Sequence, residues 1–318
     1  MTTRSATPQP GAEALFRWLL TDRPRLAWPT FGLFLAFVSL FVGEIVFATA
    51  GLLPIPLAVA LGTLASYWSY SVLHEAAHNL VSTSKAVNEW VGRICLLGIS
   101  ITPFFQTYRF LHLAHHRFTN DPKRDADYWS GGGPPWTLPL RWMVMDVAYA
   151  ATYFRAGFYW ERPRGERIEF WASMLFGVGV LALVWSMGWL KPFLLFYILP
   201  TRLGLFILAF AFDFLPHYPH RITARENMFR ATNNRVGMEW LMTPLLVGQN
   251  YHLAHHLYPT APFYRYRRVW LARKAYHDAR NPACVKPFGL SPTGTRGGVV
   301  GSTDSVAEPA ARNTARST

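Results

Sequence analysis

Residues 252–256 read His-Leu-Ala-His-His, and the same five letters stand at 112–116. Two further pairs accompany them, His74-Glu-Ala-Ala-His78 and His217-Tyr-Pro-His220. Of the chain's 11 histidines, only His277 lies outside these four stretches. Neutral imidazole is the commonest metal ligand among side chains. Helical residues three and four apart share a face, so His74 and His78 project together, as do His112, His115 and His116. The adjacent histidines of each H-x-x-H-H stretch diverge by about 100° on a helix of 3.6 residues per turn. One can reach one ion and its neighbour a second. Eight or nine imidazoles are too many for one ion and about right for two. Ligand type alone leaves iron, zinc, copper and nickel open.

The medium around the clusters is apolar. The chain is 51% hydrophobic and only 15% charged, against about 25% charged in an ordinary soluble domain. Four stretches approach the roughly 20 apolar residues that span a bilayer: Thr30–Leu53, Ile55–Leu73, Phe170–Trp189 and Phe193–Leu215. Pro54 and Pro56 break the first pair, and Gly188 to Pro192 the second, giving two helical hairpins. Glu44 is the one charge of the first span, and an intramembrane charge is a functional suspect. The fourth span contains Arg202 and Asp213. Ile94–Phe105 is too short to span and reads as re-entrant or interfacial. Trp136–Trp160 reads as one or two helices lying in the interface.

Lys and Arg crowd the N-terminal segment, the region between the hairpins and the C-terminal part, while the hairpin turns are almost bare. The positive-inside rule then puts both termini and every histidine cluster in the cytoplasm. The formal net charge of +13 is explained by inside-facing loops near anionic lipid. The basic residues flank spans instead of forming one stripe, which argues against nucleic acid. Cys95 and Cys284 are the only cysteines, which argues against a disulfide framework and against an internal iron–sulfur cluster. The expected organisation is a cytosolic segment 1–29, a membrane domain 30–286 and a disordered tail 287–318. The fold class is an all-α integral membrane protein, four transmembrane helices in two hairpins under a cytosolic helical cap that carries the histidines.

Each cluster has a plainer reading beside the metal one. His277, amid Arg and Lys, reads as a satisfied core residue or a surface accident. His217 follows the fourth span at a proline-marked helix end and reads as a ligand; His220 is balanced between ligand and exposed turn residue. H-E-x-x-H at 74–78 also fits the zinc peptidase signature, in which the glutamate is general base, but that reading leaves both H-x-x-H-H stretches without a task. A metal transporter would want ligands near the bilayer midplane. Metal-bound histidines usually donate their other ring N–H to a carboxylate or carbonyl. Asp121, Asp125, Asp127, Asp213 and Asn250 are candidates for that supporting layer.

These residues resemble the membrane fatty-acid desaturase and hydroxylase superfamily. The stretches HLAHHRFTNDPKRDAD (112–127), FDFLPHYPH (212–220) and GQNYHLAHHLYPTAPFYRY (248–266) look like those of bacterial desaturase-type β-carotene hydroxylases. Glu75 stands where that group carries an aspartate. The resemblance implies two irons held by His74, His78, His112, His115, His116, His217, His252, His255 and His256, with O2 as co-substrate. It implies hydroxylation of a lipophilic substrate, the β-ionone ring of β-carotene giving zeaxanthin. The alternatives are a fatty-acyl lipid desaturase and, from another class, an intramembrane zinc protease. Electrons would come from an external donor such as ferredoxin and its reductase, at the cytosolic face of a multi-pass inner-membrane protein.

Overall fold

A computed structural model describes residues 10–294 of the 318-residue chain. It is mostly helical. Helix α1 (Pro10–Thr21) precedes α2 (Trp28–Thr49), α3 (Ile55–Ala77), α4 (Lys85–Leu96) and α5 (Phe105–Phe118). After an irregular stretch come α6 (Leu138–Met143), α7 (Met145–Arg155), the short α8 (Phe158–Glu161) and α9 (Arg164–Ser186). The last long helix, α10, runs from Leu190 to His217. Among the described residues, α2, α9 and α10 are long and apolar enough to cross a membrane. Their outer faces carry exposed Leu35, Val42, Leu175, Val178 and Leu183, and exposed Trp28, Trp185 and Trp189 mark their ends, the positions of an interfacial aromatic belt.

The remaining expected span, Ile55–Leu73, forms α3, 23 residues long, or about 34 Å at 1.5 Å per residue. It is less apolar than the other three because its second half carries Ser66, Tyr67, Ser69, Tyr70 and Ser71. That half is buried against α2, α4 and α10, so protein, not lipid, meets its hydroxyls.

The hairpin turns stop by the same device. Gly51 (φ 74°) and Gly188 (φ 69°) are left-handed, and the amides beyond them reach back five residues, Leu52 to the Phe47 carbonyl at 2.8 Å and Trp189 to Val184 at 2.9 Å. This is the glycine-terminated C-cap. Pro54 and Pro56 do not end α2; they open α3, where a missing N–H costs nothing.

Helix α10 contains two wider π turns, Leu194–Ile198 and Ala209–Phe214. Arg202, within it, pairs with Asp146 of α7 at 2.9 Å and donates to the Ile99 carbonyl at 3.1 Å, so its charge is matched. Glu44 of α2 is buried and no hydrogen-bond partner reaches either oxygen. The stretch Ile94–Phe105 comprises the end of α4, a loop and the first residue of α5, and Trp136–Trp160 supplies α6, α7 and the first three residues of the short α8.

The N-terminal segment is joined to the domain. Phe16 and Leu19 of α1 pack with Tyr266, Val269 and Trp270, and Glu13 pairs with Arg273 at 2.6 Å. Beyond residue 286, Thr293–Gly294 forms a strand, β3, antiparallel to β2 (Ala283–Val285), which lies parallel to β1 (Asn234–Arg235). The Arg235 guanidinium caps the Lys286, Pro287 and Gly289 carbonyls. The first part of the expected disordered tail is therefore placed against the domain; 295–318 lie outside the described residues.

Candidate metal centre

Four chain segments deliver the imidazoles. The last turn of α3 carries His74, and His78 caps it. Helix α5 carries His112, His115 and His116, and the end of α10 carries His217. A short helix, His252–Leu257, carries the other three. Two asparagines knit the last two segments. Asn233 bonds the Leu215 and Pro216 carbonyls through its side chain, and Asn234 Oδ1 accepts from the Ala254 amide at 3.2 Å. The sequence does not point to either, since an Asn-Asn pair carries no metal signature.

The nine expected histidines fall into two sets. His74, His78, His112, His116 and His255 form one; His115, His217, His252 and His256 form the other, ligand atoms within 4.8 Å of one another in each. The adjacent residues His115 and His116 part between the sets, as do His255 and His256, as the 100° divergence predicts. In the first set the Nε2 atoms of His74 and His255 lie 2.9 Å apart, those of His78 and His112 2.8 Å, and those of His116 and His255 2.9 Å. In the second, His217 and His252 are 3.0 Å apart, His252 and His256 3.0 Å, and His115 and His256 3.2 Å.

Those separations fit metal ions. Two nitrogens held about 2.1 Å from one ion at right angles are about 3.0 Å apart. Hydrogen bonding among the rings alone fits less well. A neutral imidazole has one N–H, yet His252 and His256 each present the same Nε2 to two neighbours. Burial, reinforced by neighbouring imidazoles, pushes His78, His112, His116, His252, His255 and His256 well below the ordinary histidine value. They are neutral, with lone pairs free to coordinate.

His115 differs. Burial opposes its protonation, but the Asp125 and Asp127 carboxylates outweigh that and hold it up to about 9. Asp125 Oδ1 is 2.8 Å and Asp127 Oδ2 3.4 Å from its Nδ1, which turns Nε2 toward the second set. Asp125 is itself fixed by the Asn120 and Asp127 amides at 2.7 and 2.9 Å, and Asp127 accepts from the Tyr149 hydroxyl.

The other supporting candidates divide. Asp121 holds a turn, accepting from the Lys123 and Arg124 amides and the Arg124 guanidinium, and bonds no histidine. Asn250 donates to Thr243 Oγ1 at 3.3 Å; its neighbour Gln249 does what was expected of it, accepting from His252 Nδ1 at 2.8 Å. Asp213 lines a cavity enclosed by residues of α3, α4, α5, α7 and α10. His220 is in neither set; it is buried against Phe214, 5.6 Å between ring centres. His277 is a core residue, stacked on Trp270 at 4.1 Å and bonded to the Tyr258 hydroxyl at 2.8 Å.

Glu75 decides against the peptidase arrangement. It is fully buried behind His74, 3.5 Å from Nδ1, and accepts from the Phe263 amide and the Tyr266 hydroxyl. A general base must face the metal-bound water; this carboxylate faces the opposite edge of the ring.

That cavity is lined by Tyr70, Tyr108, Tyr149, Leu205, Leu208 and Asp213, among others. Tyr70, Tyr108 and Asp213 each precede a clustered histidine, His74, His112 and His217, by four residues. The Tyr108 ring stacks parallel to His112 at 5.9 Å.

Residues 50–286 match the family model described as fatty acid desaturase. A dihydrorhizobitoxine desaturase from Bradyrhizobium elkanii is 26% identical over 245 residues, 69% of this chain and 66% of that protein. An sn-1 acyl-lipid omega-3 desaturase (ferredoxin) from Synechocystis is 27% identical over 241 residues, 67% of this chain and 65% of that protein. A beta-carotene ketolase from Paracoccus is 28% identical over 241 residues, 74% of this chain and 87% of that protein. The chain thus spans just under two thirds of the first two relatives and most of the third. With the match covering most of its length and the histidines gathered as described, the chain belongs to the fatty acid desaturase family.

Proposed function

We propose that this chain is an integral-membrane two-iron oxygenase that hydroxylates a lipophilic substrate, the β-ionone ring of β-carotene, to give zeaxanthin. The observation that carries the reading is the division of nine imidazoles into two sets with Nε2 atoms about 3 Å apart. The first iron would be held by His74, His78, His112, His116 and His255, the second by His115, His217, His252 and His256. Iron bound there would supply O2 activation: for each of the two rings, with two electrons and two protons, one oxygen atom would enter a C–H bond and the other leave as water.

The protein's own residues do the rest. Asp125 and Gln249 fix the tautomers and tilt of His115 and His252 through their Nδ1 atoms. Tyr70, Tyr108, Leu205 and Leu208 make an apolar seat one helical turn on the membrane side of the imidazoles, where a greasy substrate is received and water is kept out. The four helices α2, α3, α9 and α10 cross the inner membrane as two hairpins, with both termini and the histidines in the cytoplasm. The basic residues at the histidine ends and the nearly uncharged turns support that orientation. An external carrier, ferredoxin with its reductase, supplies the electrons.

The ketolase relative, most of whose length the chain covers, favours the carotenoid. The acyl-lipid desaturase relative supports a second reading, removal of two hydrogens from a fatty acyl chain. Expression in bacteria that accumulate β-carotene separates the two. Zeaxanthin in the pigment extract is the expected result; unchanged pigment with newly unsaturated acyl chains moves the assignment to the desaturase.

A further inference from the structure

A second cleft, about 240 Å³, opens directly onto the metal centre, lined by His116, Arg117, Thr119, Arg225, Met228 and His256 with their neighbours. Of the nine clustered histidines only His78, His116 and His256 are partly exposed, and two of these line this cleft. His116 belongs to the first nitrogen set and His256 to the second. Their rings stack at 4.3 Å, with planes 28° apart. One accessible edge therefore touches both metal positions.

The rim is basic with an apolar spot. Arg117 and Arg225 are exposed, and neither forms an ion pair among the described residues. Met228 is 54% exposed. The nearby carboxylate, Glu226, is engaged by the Thr223 amide and hydroxyl at the start of its own helical turn. Unpaired cations around an exposed thioether suit a negatively charged protein surface.

We propose that this cleft is the docking site of an acidic one-electron carrier protein, whose electrons enter through the stacked His116–His256 pair. The inference rests on the two-iron reading above. Each docked carrier is oxidised by one electron and the centre reduced by one. Two dockings supply the pair of electrons that, with two protons and O2, yields the hydroxylated product and water. A larger basic cleft, lined by Lys123, Arg124, Arg141 and Arg155 among others, reaches the centre only through Asp125, behind His115, and its Arg124 is already paired with Asp121 at 2.7 Å.

The test uses the iron-loaded full chain in lipid nanodiscs and a reduced [2Fe–2S] ferredoxin as probe, with calorimetric Kd measured at low ionic strength. The double variant Arg117→Glu/Arg225→Glu should bind at least tenfold more weakly, while Arg155→Glu in the larger cleft binds as the parent does. Iron content and anaerobic reduction by dithionite should stay unchanged in all three, showing that the centre is intact. Parent-like binding by the double variant overturns the proposal, as does loss of binding in Arg155→Glu alone or failure of the parent to bind. Absence of iron from the parent would instead overturn the two-iron reading, a result the metal analysis gives independently of Kd.

Discussion

His115 donates its Nδ1–H to Asp125 at 2.8 Å while its Nε2 faces His256 at 3.2 Å. A carboxylate placed this way fixes the tautomer and raises the basicity of the ligating nitrogen, and losing such a partner costs about 10–100-fold in metal affinity. Asp125→Ala should release iron at correspondingly lower chelator concentration. Asp121→Ala, which alters only a turn, should retain metal as the parent does.

Gln249 and Asn250 offer a comparison between neighbours. Gln249→Leu removes the acceptor of His252 Nδ1 and should weaken metal retention and lower activity together. Asn250→Leu touches no histidine bond and should leave the metal content at the parent's level. Equal effects in the two would mean that Gln249 acts only through packing.

His217 and His220 should separate by readout. His217→Ala removes one of four nitrogens in the second set and should abolish activity while the protein still inserts. His220→Ala should keep the parent's metal content and lower the Tm. A Cβ at Gly131 would stand 2.0 Å from the His220 ring, so Gly131→Ala should destabilise the fold by about 1–3 kcal/mol through overpacking. Thermal unfolding and metal analysis of the three variants check this.

His277 gives a pH dependence. Burial pushes it down to about 4, whereas in the unfolded chain it titrates near 6.5. Between those values the unfolded chain binds a proton that the folded chain refuses. Its contribution is therefore complete above pH 6.5 and is lost as the pH falls toward 4. The shift corresponds to at most about 3 kcal/mol. His277→Phe should flatten the fall of Tm between pH 6.5 and 4.5 relative to the parent. Parallel curves would show that other groups carry the slope.

The nine clustered histidines were legible because their helical spacing and their positions at span ends both survive in a linear string. What a turn does to a side chain was not. Asp121 and Asp125 lie four residues apart in one acidic stretch, and only the fold decides that one clasps arginine and the other histidine. Gln249 was passed over for Asn250 because a single 3₁₀ turn, Gln249–Tyr251, sets which amide meets His252. Ile55–Leu73 reads as a span from its apolar, uncharged run, but the run does not say that its serines and tyrosines meet protein. The seating of α1 on the Tyr266–Ala272 helix joins residues some 250 positions apart, a relation no local pattern encodes.

The π turn at Ala209–Phe214 makes the second metal position depend on counting. Such a turn holds one residue more than the α-helix around it, and that extra residue sets the rotation at which α10 delivers His217 to His252. Rewinding that turn as ordinary α-helix with every residue kept would swing His217 about 100° away. Every histidine would still be encoded, and the chain would have lost a ligand through arithmetic alone.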